Sequence, residues 1–204
     1  MSDSDAHEEV ISFMLENETR PAHVRHVAAL ALQLFDQLSA LHGLGSRERL
    51  LLEAAALLHD VGHQAQPTAG GHHKESARMI REHLWKCFDR SEVEIIAQSA
   101  RYHRKGMPET SHEEFVTLNP WDRRLVQQLA ALLRLADAFD RSHAQHIMRV
   151  VIELPVNQIV FRLVSDGPVL REVLTARLKG DLAQAVFQRD LRFMFEGEEI
   201  KPAE

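Results

Sequence analysis

The chain has 204 residues, a formal net charge of −6, 45% hydrophobic residues and a single cysteine, Cys87. This length and apolar content support one ordinary domain with an appendage. One cysteine excludes an internal disulfide framework, and the negative charge argues against general nucleic-acid binding, which requires many neutralised phosphates. No apolar run approaches bilayer length and the first nine residues are acidic and polar, the opposite of a secretory signal, so no membrane association is expected and the reducing cytoplasm is the expected compartment.

Periodicity is helical from about residue 5 to residue 140. An N-terminal helical extension covers 1–18. Thr19 can cap a helix with Pro21 in its first turn, whose inward stripe is Val27, Leu30, Ala31, Leu34, Leu38 and Leu41, closed by His42-Gly43. His23 lies on that stripe. Ser46 then caps a helix whose centre, Leu50 to Leu58, is apolar almost all round, as in the middle of a bundle. It ends at His59-Asp60, with Gly62 placed to stop it. After a Gly- and Pro-rich loop, a helix runs from His72 to about Cys87, and Ser91 with Glu94 forms a capping box for the next, which reaches Tyr102. A short helix covers Glu113 to Leu118. Asn119-Pro120 opens the last long helix, with the ligand-type residues Asp137 and Asp140 at its inner end.

Composition changes near residue 147. Two alternating, β-branched runs, 148–154 and 159–164, read as a hairpin around Pro155 to Gln158, followed by a helix from Gly167-Pro168 to about Phe187 and a third strand over Leu191 to Phe195. The expected fold is mainly α: a helical metal-binding domain over 19–146 and a small α+β appendage over 147–204.

Six residues stand at helix ends or on apolar helix faces and are good divalent-metal ligands: His23, His59, Asp60, His72, His103 and Asp137. The adjacent pair His59-Asp60 is the centre of the pattern, since an imidazole can take one ion while a carboxylate takes the same ion or bridges to a second. Burying that carboxylate at the end of an apolar helix costs several kcal/mol unless something compensates, and a cation is the simplest compensation. One histidine on an apolar face is ordinarily a hydrogen-bonded core residue. Three helices that each carry such a residue require three separate coincidences. His73 competes with His72 for the site.

The order His23, His59-Asp60, Asp137 resembles the HD-domain metal-dependent phosphohydrolases, in which a His, a His-Asp pair and a distant Asp stand on separate helices. Val27-Ala28 selects His23 over His26 for the first position. His72, four residues before Ser76-Ala77, and His103, in Arg101-Tyr-His-Arg-Lys105, match the subset with dinuclear sites. The stretches 72–76, 101–105 and 132–143 and the appended hairpin and helix are similar to the C-terminal HD region of the exopolyphosphatase and guanosine-pentaphosphate phosphatase family, from about Thr19 to Phe195. The actin-like ATPase-fold domains that carry polyphosphate hydrolysis in that family are not in this sequence, so that activity is not carried over. Many HD enzymes have Lys three residues after the paired Asp; here His63 stands there.

The resemblance implies two divalent cations, from among Mn, Fe, Co and Mg. His23, His59, Asp60 and Asp137 hold one, and Asp60, His72 and His103 the other, with a water between them that hydrolyses a phosphate ester or anhydride of a nucleotide or other small phosphorylated molecule. Asp60 and His63 are the candidate catalytic residues, His63 as general acid. Lys74, Arg104, Lys105, Arg134 and Arg141, adjacent in sequence to the ligands, are candidate phosphate-binding residues. The alternative is a regulatory metal- and phosphate-binding module with little turnover, acting through a homodimer or a partner.

Overall fold

The computed structural model describes residues 2–64, 71–104 and 106–201. Helices dominate, and a small four-stranded sheet follows them. The bundle consists of α1 (Asp3–Asn17), α2 (Pro21–Gln37), α3 (Ser39–His42), α4 (Ser46–Leu58), a 3-10 turn (Val61–His63), α5 (His72–Glu82), α6 (Arg90–Arg101), α7 (Glu113–Val116) and α8 (Pro120–Ala138). Helix α4 is the central rod, packed by α1, α2, α6 and α8. Its Leu50 to Leu52 and Ala54 to Leu58 are all buried, which explains why its sequence lacks a polar face. Helix α1 adds Ala6, Val10, Phe13 and Met14 to the same core. None of the described helices is long and apolar enough to cross a membrane.

Beyond the bundle come β1 (Ile147–Glu153), β2 (Gln158–Ser165), α9 (Leu170–Lys179), α10 (Asp181–Phe187), β3 (Asp190–Phe195) and β4 (Glu198–Glu199). The sheet order is β1-β2-β3-β4, and β2 pairs antiparallel with β1 but parallel with β3, because α9 and α10 form a crossover between them. Phe139 of the bundle sits edge-on to Phe161 and Phe193 of the sheet, and Gln33 and Gln37 of α2 hydrogen-bond the backbone of β1. The appendage therefore shares the bundle's core.

Several local expectations are corrected by tertiary contacts. Thr19 does not cap α2; Arg20 is its N-cap residue and its side chain reaches into the site. Gly45, whose amide donates to Glu48, precedes α4 in place of Ser46. Helix α5 stops at Glu82 rather than Cys87, because the amides of Lys86 and Cys87 turn to the Glu9 carboxylate and the Trp85 indole donates to Ile80 O. The capping box of α6 is Asp89 with Glu92; Ser91 bonds Asp122 and Glu94 pairs with Arg81. The single helix expected up to Phe187 is broken at Gly180, where an added Cβ would meet Leu191 Cδ1 at 2.7 Å and Ala176 O at 2.8 Å.

Gly62 does not terminate α4; it lies inside the 3-10 turn against the first turn of α5. A Cβ there would stand 2.4 Å from Ser76 N and 2.7 Å from His72 O, while the Gly62 amide donates to Ser76 Oγ. This close approach joins His59-Asp60 to the helix that begins with His72. Gly62→Ala is expected to destabilise the fold by about 1–3 kcal/mol through overpacking, read as a lower midpoint in thermal unfolding; an unchanged midpoint would contradict the tight junction.

Candidate metal centre

Two of the imidazoles are oriented by the same local device. A helix C-terminus leaves carbonyls without helical partners, and at the end of α4 His59 Nδ1 donates to Ala56 O at 2.7 Å, while at the end of α6 His103 Nδ1 donates to Ala100 O at 2.6 Å. A carbonyl can only accept, so Nδ1 carries the proton in both rings and Nε2 presents a lone pair. On α2, His23 Nδ1 donates to the buried Asp140 carboxylate at 2.7 Å, which turns its Nε2 inward as well. His143 has a left-handed φ of 59°, and its ring lies over His23 with centroids 4.1 Å apart.

These nitrogens converge on two carboxylate oxygens. Asp60 Oδ1 is 3.5 Å from His72 Nε2 and 3.8 Å from the Nε2 atoms of His59 and His103. Asp137 Oδ1 is 3.6 Å from His23 Nε2 and 3.8 Å from His59 Nε2. All six sequence-derived ligand candidates thus come together from five parts of the chain. The donor sets His23-His59-Asp60 and Asp60-His72-His103 each keep their ligand atoms within 4.8 Å of one another. His73 belongs to neither among the described residues, so His72 is the member of the doublet that faces Asp60.

The donor set fits divalent cations. Buried polar atoms ordinarily have partners, yet His23 Nε2 and His59 Nε2 are buried with none among the described residues. Ligand atoms about 2.0–2.2 Å from one ion stand roughly 3–4 Å apart, and the 3.5–3.8 Å separations here are too long for hydrogen bonds and suitable for a shared ion. The protonation pattern agrees. Burial holds His103 neutral, with its pKa pushed down to about 3, and lowers His72 too. Burial resists ionisation of Asp60 and Asp137, but the imidazoles around Asp60, and Lys179 together with His23 beside Asp137, hold both carboxyls below the usual range. Burial also opposes a charge on His23, and the negative charge of Asp137 beside it together with the hydrogen bond to Asp140 outweighs that and lifts its pKa to about 9. A proton on His23 and a divalent cation are alternative ways to balance the same carboxylates.

The other candidates divide. His63 stacks on His72, with centroids 5.0 Å apart and 16° between the planes, so it borders the site. Arg104 acts electrostatically on His72 and His73, and the exposed Lys74 on His73. Arg141 is exposed, and Lys105 lies outside the described residues. Arg134 is a correction. It is 1% exposed and donates to Tyr102 O, Gly106 O and Asp181, holding the turn after α6 and the start of α10 against α8, which leaves it inaccessible to a solvent-borne phosphate.

Two site residues were missed by sequence reasoning. Arg20 Nη2 donates to Asp60 Oδ2 at 2.7 Å, and Lys179, at the end of α9, donates to Asp137 Oδ2. Neither belongs to an apolar stripe or stands beside a ligand in sequence, so no local signal marks them.

Residues 9–181 match the family model of Ppx/GppA phosphatase, domain III. The chain belongs to this family. A search of curated proteins finds no match. The Ppx/GppA match makes the chain a relative of phosphatases, and its span contains all six convergent ligand candidates together with Arg20 and Lys179.

Asp140 touches His23 rather than the ion site and would act by orienting that imidazole. Loss of such a partner commonly lowers metal affinity 10–100-fold, so Asp140→Asn is expected to weaken Mn binding by about that factor in a chelator-competition titration; wild-type affinity would remove Asp140 from the site.

Proposed function

We propose that this Ppx/GppA domain III chain is a metal-dependent phosphohydrolase of the HD-domain type, acting in the cytoplasm on a phosphate ester or anhydride of a nucleotide or another small phosphorylated molecule. The observation that carries the reading is the pair of buried, unpartnered imidazole nitrogens, His23 Nε2 and His59 Nε2, facing carboxylate oxygens in a phosphatase-family chain.

In this reading His23, His59, Asp60 and Asp137 would hold one divalent ion, and Asp60, His72 and His103 would hold a second. Such ions, drawn from Mn, Fe, Co and Mg, supply Lewis acidity and lower the pKa of water toward neutrality. The chain supplies the rest. Nδ1 hydrogen bonds to Ala56, Ala100 and Asp140 fix three rings before any ligand arrives, so little reorganisation remains for the reaction. His63 would deliver a proton to the leaving oxygen, a role supported by its stacking on His72. Arg104 adds positive potential at His72.

One observation favours a second reading. The matching model is that of domain III, which fits a part serving a larger phosphatase as a metal- and phosphate-binding regulatory module.

Bound-metal analysis combined with turnover of a phosphomonoester, a phosphodiester and a nucleotide panel in Mn, Fe, Co or Mg separates the readings. The enzyme reading expects metal and turnover together, and His59→Ala and Asp60→Ala are each expected to reduce both to background. Full activity in either variant counts against the assignment, and stoichiometric metal without turnover in the wild type supports the regulatory module.

A further inference from the structure

The two site carboxylates are divided in the same way. Their inner oxygens, Asp60 Oδ1 and Asp137 Oδ1, face the imidazole nitrogens. Their outer oxygens each accept from a basic side chain: Asp60 Oδ2 from Arg20 Nη2 at 2.7 Å and Asp137 Oδ2 from Lys179 Nζ. With the buried Asp140 carboxylate behind His23, three negative charges face the two positive charges of Arg20 and Lys179, so less than the charge of one divalent ion is left to balance. Divalent ions on the inner oxygens would therefore leave the cluster with excess positive charge in a largely buried setting, where uncompensated charge is costly. A solvent-borne anion would supply the missing balance.

Arg20 and Lys179 are the basic side chains bonded to the two site carboxylates. The Arg20 side chain is 35% exposed and the Lys179 side chain 15%, so both combine a foot in the site with access to solvent. Arg20 is held at its backbone, where its amide donates to Glu18 Oε1 at 2.7 Å, and its Nη1 lies 3.4 Å from His143 Nε2, with further N–H groups left over. Lys179 Nζ also approaches His103 O at 3.5 Å, which puts it beside both halves of the ligand set. A guanidinium fork and an ammonium on either side of a phosphoryl group are a common means of binding it.

We propose that Arg20 and Lys179 are the phosphate-binding residues of this site, and that they select a terminal, dianionic phosphoryl group over the monoanionic phosphate of a diester. The proposal rests on the phosphohydrolase reading above and narrows its substrate class. It also gives the appendage a role, since Lys179 belongs to α9 while every ligand candidate belongs to the bundle.

The test is calorimetric binding of inorganic phosphate and of dimethyl phosphate to the full chain, with and without Mn, with bound Mn measured in parallel. Inorganic phosphate is expected to bind the Mn-loaded wild type at least about tenfold more tightly than dimethyl phosphate. Compared at Mn concentrations that saturate each protein, Arg20→Gln and Lys179→Met are each expected to weaken phosphate by at least about tenfold, the effect of losing one charge-assisted hydrogen bond; Lys179→Arg recovers most of the loss. Unchanged phosphate affinity in both variants at full Mn content overturns the proposal and leaves the metal reading intact, as does equal affinity for dimethyl phosphate. Loss of Mn in Lys179→Met and Lys179→Arg alike also overturns it, because Lys179 would then only position Asp137. If the wild type binds no Mn, the metal reading falls and the proposal that rests on it falls with it.

Discussion

The Asp60 carboxylate has one oxygen within 3.8 Å of three imidazole nitrogens from α4, α5 and the end of α6, and its other oxygen is bonded to Arg20 ahead of α2. A buried carboxylate in this position must be compensated from several sides at once, because the interior has no water to do so. That requirement ties four stretches of the chain to one point. Asp137 repeats it, with His23 and His59 on one oxygen and Lys179 on the other. The two carboxylates are the reason a run of helices with ordinary apolar packing has polar groups at its inner ends.

The helices supply more than a scaffold. His59 and His103 use the free carbonyls at the ends of their own helices as orienting partners, each to the alanine three residues earlier. A helix terminus has donors or acceptors to satisfy in any case, so the same bonds complete the helix and aim the ligand. Gly62 works at the next level, letting the turn after Asp60 come into backbone contact with α5 and bring His72 to the site. The appendage completes the arrangement from outside the bundle, packing its phenylalanines on Phe139 and sending Lys179 to Asp137. Ligand candidates and basic groups thus come from parts of the chain with different folding periods but one shared core.

Much of this was legible in the sequence, because burial imposes periodicity on apolar residues and any exception to that periodicity stands out. His23 on an inward stripe, His59-Asp60 after an all-apolar helix and Asp137 near the end of α8 were visible as such exceptions, and the structure brings them together. The hairpin and the third strand were legible from alternation. Caps were misplaced by one or two residues at α2, α4 and α6, since Ser, Thr, Asp and Glu occur in clusters there and tertiary partners such as Arg81 and Asp122 decide which is free to cap. Arg134 was misjudged for a related reason: sequence adjacency to a ligand says nothing about direction, and on α8 its side chain turns to Tyr102, Gly106 and Asp181.

By itself the amino-acid sequence determined the helical class, the appended sheet and the identity of the ligand types, because all three are encoded in hydrophobic period and in local chemistry. Only the tertiary structure decided that His72 rather than His73 faces Asp60, that β3 runs parallel to β2, and that Arg20 and Lys179 hold the outer carboxylate oxygens. Those facts depend on contacts between residues up to 42 positions apart, as from Asp137 to Lys179. A long flexible basic side chain carries no periodic mark of what it will meet, so its partner is set by packing and charge balance in the folded chain.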